Sequence, residues 1–146
     1  MIRNTTLVRV LPLCKLTKSF PLFAGVSAGF PSPADDYLEE ELDLNDYLIK
    51  NPEATFFVRV TGDSMIRAGI YQDDILIVDC SLQARSGDVI VALIDGEFTV
   101  KRWVRHQDKY FLQPENPAYK AIELKEGCEF QVWGVVTNVI HKPYAL

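Results

Sequence analysis

From Thr55 onward the apolar positions come in six short runs: "TFFVRV", "DILIVD", "DVIVALID", "EFTVKRWV", "KYFLQP" and "EFQVWGVVTNVI". Each is rich in β-branched and aromatic residues and is bounded by turn formers, the pattern of strands rather than helices. Asp95-Gly96 separates the third run from the fourth, and this dipeptide favours a tight two-residue hairpin. Only "DLNDYLIKNP" reads as helix: Asp43 is its N-cap, Leu44, Tyr47 and Leu48 form an apolar stripe, and Pro52 closes it. Residues 1–36 are punctuated by Pro12, Pro21, Pro31 and Pro33, which disfavour helix and favour extended segments. The pattern predicts a mainly β fold of about six strands in a partly closed, Greek-key-like sheet assembly. An extended N-terminal arm and one short helix complete it, with the strands beginning at Thr55.

Length changes this picture little, since 146 residues make one domain's worth of chain and bury a core without staples. Charge is more informative, because the net −5 hides an asymmetry: residues 1–28 hold four bases and no acid, leaving the remainder at −9. Seven acids lie between Asp35 and Asp46 with no base among them, which reads as a solvated surface. So acidic a body argues against phosphate-backbone binding as the main activity. Cys14, Cys80 and Cys128 are too scattered for a disulfide framework and read as reduced thiols in a cytoplasmic protein, filling small core positions. "VSAG" (Val26 to Gly29) has the small residues of a signal-peptidase site, but bases and prolines interrupt the apolar runs before it. No run is long enough to span a membrane.

Metal-ligand spacing and Gly-rich phosphate loops are both lacking, so neither a metal nor a cofactor is expected. His106 and His141 sit in no motif and read as strand-end residues. The pair left for chemistry is Ser64 and Lys101. A two-residue Asp95-Gly96 loop sets Ile94 opposite Glu97, Ala92 opposite Thr99 and Ile90 opposite Lys101. Lys101 then shares a face with Ile90, Ala92 and Thr99, where burial would favour the neutral amine, a competent base. The strand pattern alone reads more readily as a solvent-facing lysine. Ser64 lies in "TGDSM", at a junction where Gly62 permits unusual backbone and amide N–H groups can converge on an oxyanion. Taken alone, it is more often a turn or N-cap serine.

Longer stretches carry a resemblance. "GFPSPADDY" (29–37), "DLNDYLIKNPEATFFV" (43–58), "GDSM" (62–65), "DDILIVD" (73–79) and "GDVIVALIDGEFTVKR" (87–102) closely resemble the UmuD/LexA-like family of self-cleaving Ser-Lys peptidases. "NPAY" (116–119) and "VWGVVTNVI" (132–140) extend the likeness more faintly, and the 37-residue spacing from Ser64 to Lys101 also fits. The resemblance implies a β-rich fold in which Ser64 is the nucleophile and Lys101 the general base. It implies self-cleavage between Ala28 and Gly29, dividing a 1–28 arm from a 29–146 body, with Val26 filling a shallow apolar pocket. It further implies a homodimer that cleaves on meeting the RecA–single-stranded DNA filament. The product would serve a UmuC-type error-prone translesion polymerase in the SOS response.

Departures and rivals bound that expectation. Residues 1–25 match poorly, "AG" also occurs at 24–25, Thr61 replaces a frequent serine, and residues 103–115 diverge. A LexA-type repressor would need a helix-turn-helix, for which the 28 residues before Gly29 are too few and too proline-broken. No sequence-specific DNA binding is therefore expected, and no membrane partner. The non-enzymatic alternative is a polymerase-binding accessory module that no longer cuts.

Overall fold

The computed structural model describes residues 7–9, 19–23 and 38–143, with backbone alone at 7–9, 38 and 39. Its strands are β1 (Leu7–Arg9), β2 (Phe20–Phe23), β3 (Leu38–Leu42), β4 (Thr55–Arg59), β5 (Ile75–Asp79), β6 (Val89–Ile94), β7 (Glu97–His106), β8 (Lys109–Gln113), β9 (Ile122–Glu123) and β10 (Phe130–Ile140). The one α-helix among the described residues is α1 (Leu44–Leu48). The chain divides into two compact units, Met1–Leu11 with Asn51–Leu146, and Pro12–Lys50.

The larger unit is an eight-stranded sheet in the order β1-β4-β5-β10-β6-β7-β8-β9, and every neighbouring pair is antiparallel. The last strand returns to the middle, so β10 joins the β4–β5 hairpin to the β6–β9 meander. Its register slips between Val132 and Gly134 and again between Val136 and Asn138, irregularities that bend a strand. Gly134 is needed at the first slip, because a Cβ there would stand 2.5 Å from Val78 Cγ1 and 3.1 Å from Cys80 Sγ.

All six predicted runs are strands, and the fold is mainly β as expected. Burial explains why β6 reads as a continuous apolar run, since both of its faces are covered. Val91 joins a cluster with Val58, Val60, Met65, Ile70, Leu76, Val78 and Val100, while Ile90 and Ala92 pack with Leu112 and Val135. Cys80 packs half-buried against the first cluster, and Cys128 is half-buried too. Cys14 lies outside the described residues.

The strands do not begin at Thr55, which corrects the sequence expectation. β1 pairs with β4, setting Leu7 opposite Val58, while β2 and β3 form a two-stranded sheet in the smaller unit. None of the three shows a strand signal. β1 has three residues, β2 carries Pro21, tolerated where one edge is unpaired, and β3 is "LEEEL" with no alternation. The helix starts as predicted, the Asp43 side chain accepting a hydrogen bond from the Asn45 N–H at 2.9 Å. Its apolar stripe differs from expectation: Leu44 and Tyr47 are exposed and only Leu48 is half-buried. The solvated acid cluster holds for Glu40, Glu41 and Asp46, which are exposed.

Candidate active site

Position along β7 decides where Lys101 points. Asp95 and Gly96 have φ of 47° and 81°, both left-handed, and such a turn carries the twist that a two-residue hairpin requires. The register follows from it: Ile94 opposite Glu97, Ala92 opposite Thr99, Ile90 opposite Lys101. Ile90 and Ala92 are fully buried, so the amine is drawn into an apolar face and Lys101 is only 5% exposed. The lysine is thus a buried one, not the solvent-facing residue that the strand pattern alone suggests.

The serine arrives from the other side of the sheet order. After β4 the chain is pinned by Val60, whose N–H donates to Asp74 O at 2.9 Å and whose carbonyl accepts from Asp73 N–H at 2.9 Å. Gly62, at φ 92°, turns the backbone in a conformation that a side chain would strain. Met65 and Ile70 then bury themselves in the larger cluster, while Ile66–Ala68 form a single 3-10 turn. Ser64, immediately before the Met65 anchor, is held at 8% exposure.

These two paths converge: Lys101 Nζ lies 3.0 Å from Ser64 Oγ across the 37-residue separation. The amine also donates to Thr99 Oγ1 at 3.0 Å and to Val100 O at 3.0 Å. Burial pushes Lys101 below the ordinary lysine range, because desolvation penalises the ammonium. A neutral amine keeps two N–H donors and gains one lone pair. Val100 O can only accept, and Thr99 Oγ1 can accept the second N–H, which leaves the lone pair to the Ser64 hydroxyl. The arrangement can therefore take a proton from a serine, the step that prepares a hydroxyl for attack.

Other candidates fall elsewhere. Ala28, Gly29 and Val26 lie outside the described residues. His106 ends β7 and is exposed. His141 follows β10 and pairs through Nδ1 with Asp74 Oδ1 at 2.7 Å. Both are strand-end residues, as read from the sequence. Among the described residues no group of three or more His, Cys, Asp or Glu could hold a metal ion. No helix among them is long and apolar enough to cross a membrane.

A family model described as Peptidase S24-like matches residues 21–137. The chain belongs to the Peptidase S24-like family. This S24-like chain is 50% identical to Protein SamA of Salmonella typhimurium over 123 residues, covering 84% of this chain and 85% of that protein. It is 47% identical to Protein ImpA of Escherichia coli over 125 residues, covering 84% and 83% of the two chains. Protein MucA of Escherichia coli is 42% identical over 123 residues, covering 83% of this chain and 84% of its own. The UmuD/LexA-like resemblance is borne out at the level of family and fold.

Sequence reasoning placed Thr99 on the face of Lys101 without giving it a role. It also passed over the contacts made by residues 115–119. Glu115 N–H donates to Ser64 O at 2.9 Å, and Asn116 Nδ2 donates to Asp63 O at 2.9 Å. "NPAY" stood out in the sequence, but nothing local in it points to a loop more than 50 residues upstream.

Proposed function

We propose that this S24-like chain is a UmuD-like self-cleaving peptidase in which Ser64 and Lys101 act as a dyad. The observation that carries the reading is the 3.0 Å approach of Lys101 Nζ to Ser64 Oγ in a buried setting. In the first step Ser64 Oγ attacks the carbonyl carbon of Ala28 while its proton passes to the neutral Lys101 amine. The tetrahedral adduct collapses with cleavage of the Ala28–Gly29 C–N bond, and the Lys101 ammonium returns that proton to the leaving amine of Gly29. Water then attacks the Ala28–Ser64 ester, losing its proton to Lys101, and the serine leaves reprotonated. The products are residues 1–28 ending in a carboxylate and residues 29–146 beginning with an amine. Small residues on both sides of the bond allow an extended backbone into a narrow cleft.

The family membership and its SamA, ImpA and MucA relatives support a place in SOS mutagenesis. In this reading the chain is a cytoplasmic homodimer, stimulated by the RecA–single-stranded DNA filament, and its cut form serves a UmuC-type translesion polymerase. Intact-mass measurement tests the chemistry. Purified chain incubated with activated filament should lose residues 1–28, while Ser64→Ala and Lys101→Ala should stay whole and folded. A wild-type chain that stays whole while still binding the polymerase would instead make it a non-cutting accessory module. A cut after Ala24 would move the bond.

A further inference from the structure

The Ser64–Lys101 pair joins two parts of the chain that share no local structure, so something outside both must keep them in register. Ser64 sits in a loop after β4, and Lys101 sits mid-way along β7. A hydrogen bond of 3.0 Å does not by itself fix the direction in which the serine oxygen points. The segment after β8 touches both sides. Glu115 donates its N–H to Ser64 O at 2.9 Å and accepts the Arg67 N–H on its own carbonyl at 2.9 Å, so its backbone brackets the nucleophile and the turn after it. The carboxylate of the same residue reaches the other way, with Glu115 Oε1 2.5 Å from Nε of Arg102, the residue that follows Lys101. Arg102 in turn donates to Gly87 O, beyond the start of β6. Two neighbours complete the attachment: Asn116 Nδ2 donates to Asp63 O, and the Tyr119 hydroxyl donates to Asp63 Oδ1 at 2.5 Å. The Asp63 carboxylate holds that phenol above the ordinary tyrosine range, first by accepting its hydrogen bond and then by its charge.

The geometry points to Glu115 as a positioning residue for the dyad, with Arg102 as its partner, fastening the serine loop and the lysine strand to one another. The inference rests on the self-cleavage reading and adds to it a residue whose hydrogen bonds go to Ser64 O, the Arg67 N–H and Arg102 rather than to the Lys101 amine. Thermodynamics separates positioning from scaffolding here. The Arg102–Glu115 pair is partly solvated, with side chains 32% and 26% exposed, and such pairs contribute little to global stability. Catalytic geometry is far less forgiving, since a misplacement of about 1 Å can lower a rate on the order of a hundredfold. Loss of the pair should therefore show in the rate of cutting and hardly at all in the melt.

The test follows first-order self-cleavage of the full chain across alkaline pH for wild type, Glu115→Gln, Arg102→Gln and the double variant. The limiting rate should fall roughly tenfold or more in each single variant, with little change in melting temperature. The double variant should be no slower than the worse single, because the two residues act as one unit. An electrostatic effect on Lys101 would look different. Removing the acid would lower the midpoint of the pH profile, removing the base would raise it, and the limiting rates would stay put. That pattern, or limiting rates within about twofold of wild type, overturns the inference while leaving the dyad intact. If Glu115→Gln fails to fold, Arg102→Gln, which breaks the same pair from the other side, should slow cutting in its place. Undiminished cutting by Arg102→Gln would overturn the inference equally. A wild-type chain that stays whole at every pH, with and without activated filament, overturns the cleavage reading itself, and this inference with it.

Discussion

Raising the pH titrates Lys101, and self-cleavage should follow that titration. Lys101 is 5% exposed, and its amine has three acceptors at 3.0 Å: Ser64 Oγ, Thr99 Oγ1 and Val100 O. Burial penalises the ammonium, and this desolvation moves the amine below the ordinary lysine range. Below the midpoint the neutral fraction grows about tenfold per pH unit, so log rate should climb with a slope near one. It should level off below the ordinary lysine value. The same ionisation leaves a second trace in stability. Between the folded and unfolded values the unfolded chain holds more protons than the folded one, so stability rises with pH through that window. The penalty for the buried charge is complete below the folded value and gone above the unfolded one. Measured in Ser64→Ala to prevent cutting, the gain relative to Ser64→Ala/Lys101→Met should approach about 1.36 kcal/mol per pH unit within the window. Single-turnover rates supply one midpoint and urea melts across pH supply the other. A flat rate profile, or stability that falls with pH in the window relative to Lys101→Met, would refute the buried-base argument.

Thr99→Val withdraws one acceptor from the ammonium at nearly constant shape, so the midpoint of the pH–rate profile should move further down; an upward or absent shift would remove Thr99 from the site. Gly134→Ala forces a Cβ to within 2.5 Å of Val78 Cγ1 and should cost about 1–3 kcal/mol in urea melts, with an unchanged stability refuting the tight approach of β10 to β5. Asn51→Ala removes the 2.7 Å bond from Nδ2 to Asp79 Oδ2 and should cost about 1–3 kcal/mol at neutral pH. Burial would raise the Asp79 carboxyl, but the bonds from Asn51 and Ser81 win and hold it below the usual aspartate range. The difference between Asn51→Ala and wild type should therefore shrink as pH falls through the folded value of Asp79, and a pH-independent difference would contradict the assignment.

What could be read in advance follows the reach of each interaction along the chain. The Asp95-Gly96 turn couples its own geometry to the pairing of the next few residues, so the register through Ile90 and Lys101 was legible without any tertiary knowledge. Whether that face was wet or dry was not, because the answer depends on Leu112 and Val135, which cover Ile90 from β8 and from a strand more than 40 residues away. The same pattern of alternation serves an exposed lysine and a buried one. The three early strands illustrate the opposite limit. Each holds its place through backbone pairing to a partner, and backbone groups leave no mark on composition. Ser64 and Lys101 were joined beforehand by elimination of other chemistry and then by family likeness, since no local rule brings a loop after β4 to the middle of β7. Their meeting requires β10 to enter between β5 and β6 and thereby set the two halves of the sheet side by side. The proposed dyad thus depends on β10, the last strand among the described residues, and its proposed fine register on the segment after β8. A chain of this family that kept "GDSM" and "VKR" but lost the β10 insertion would retain the two residues without the 3.0 Å approach on which the proposed dyad rests.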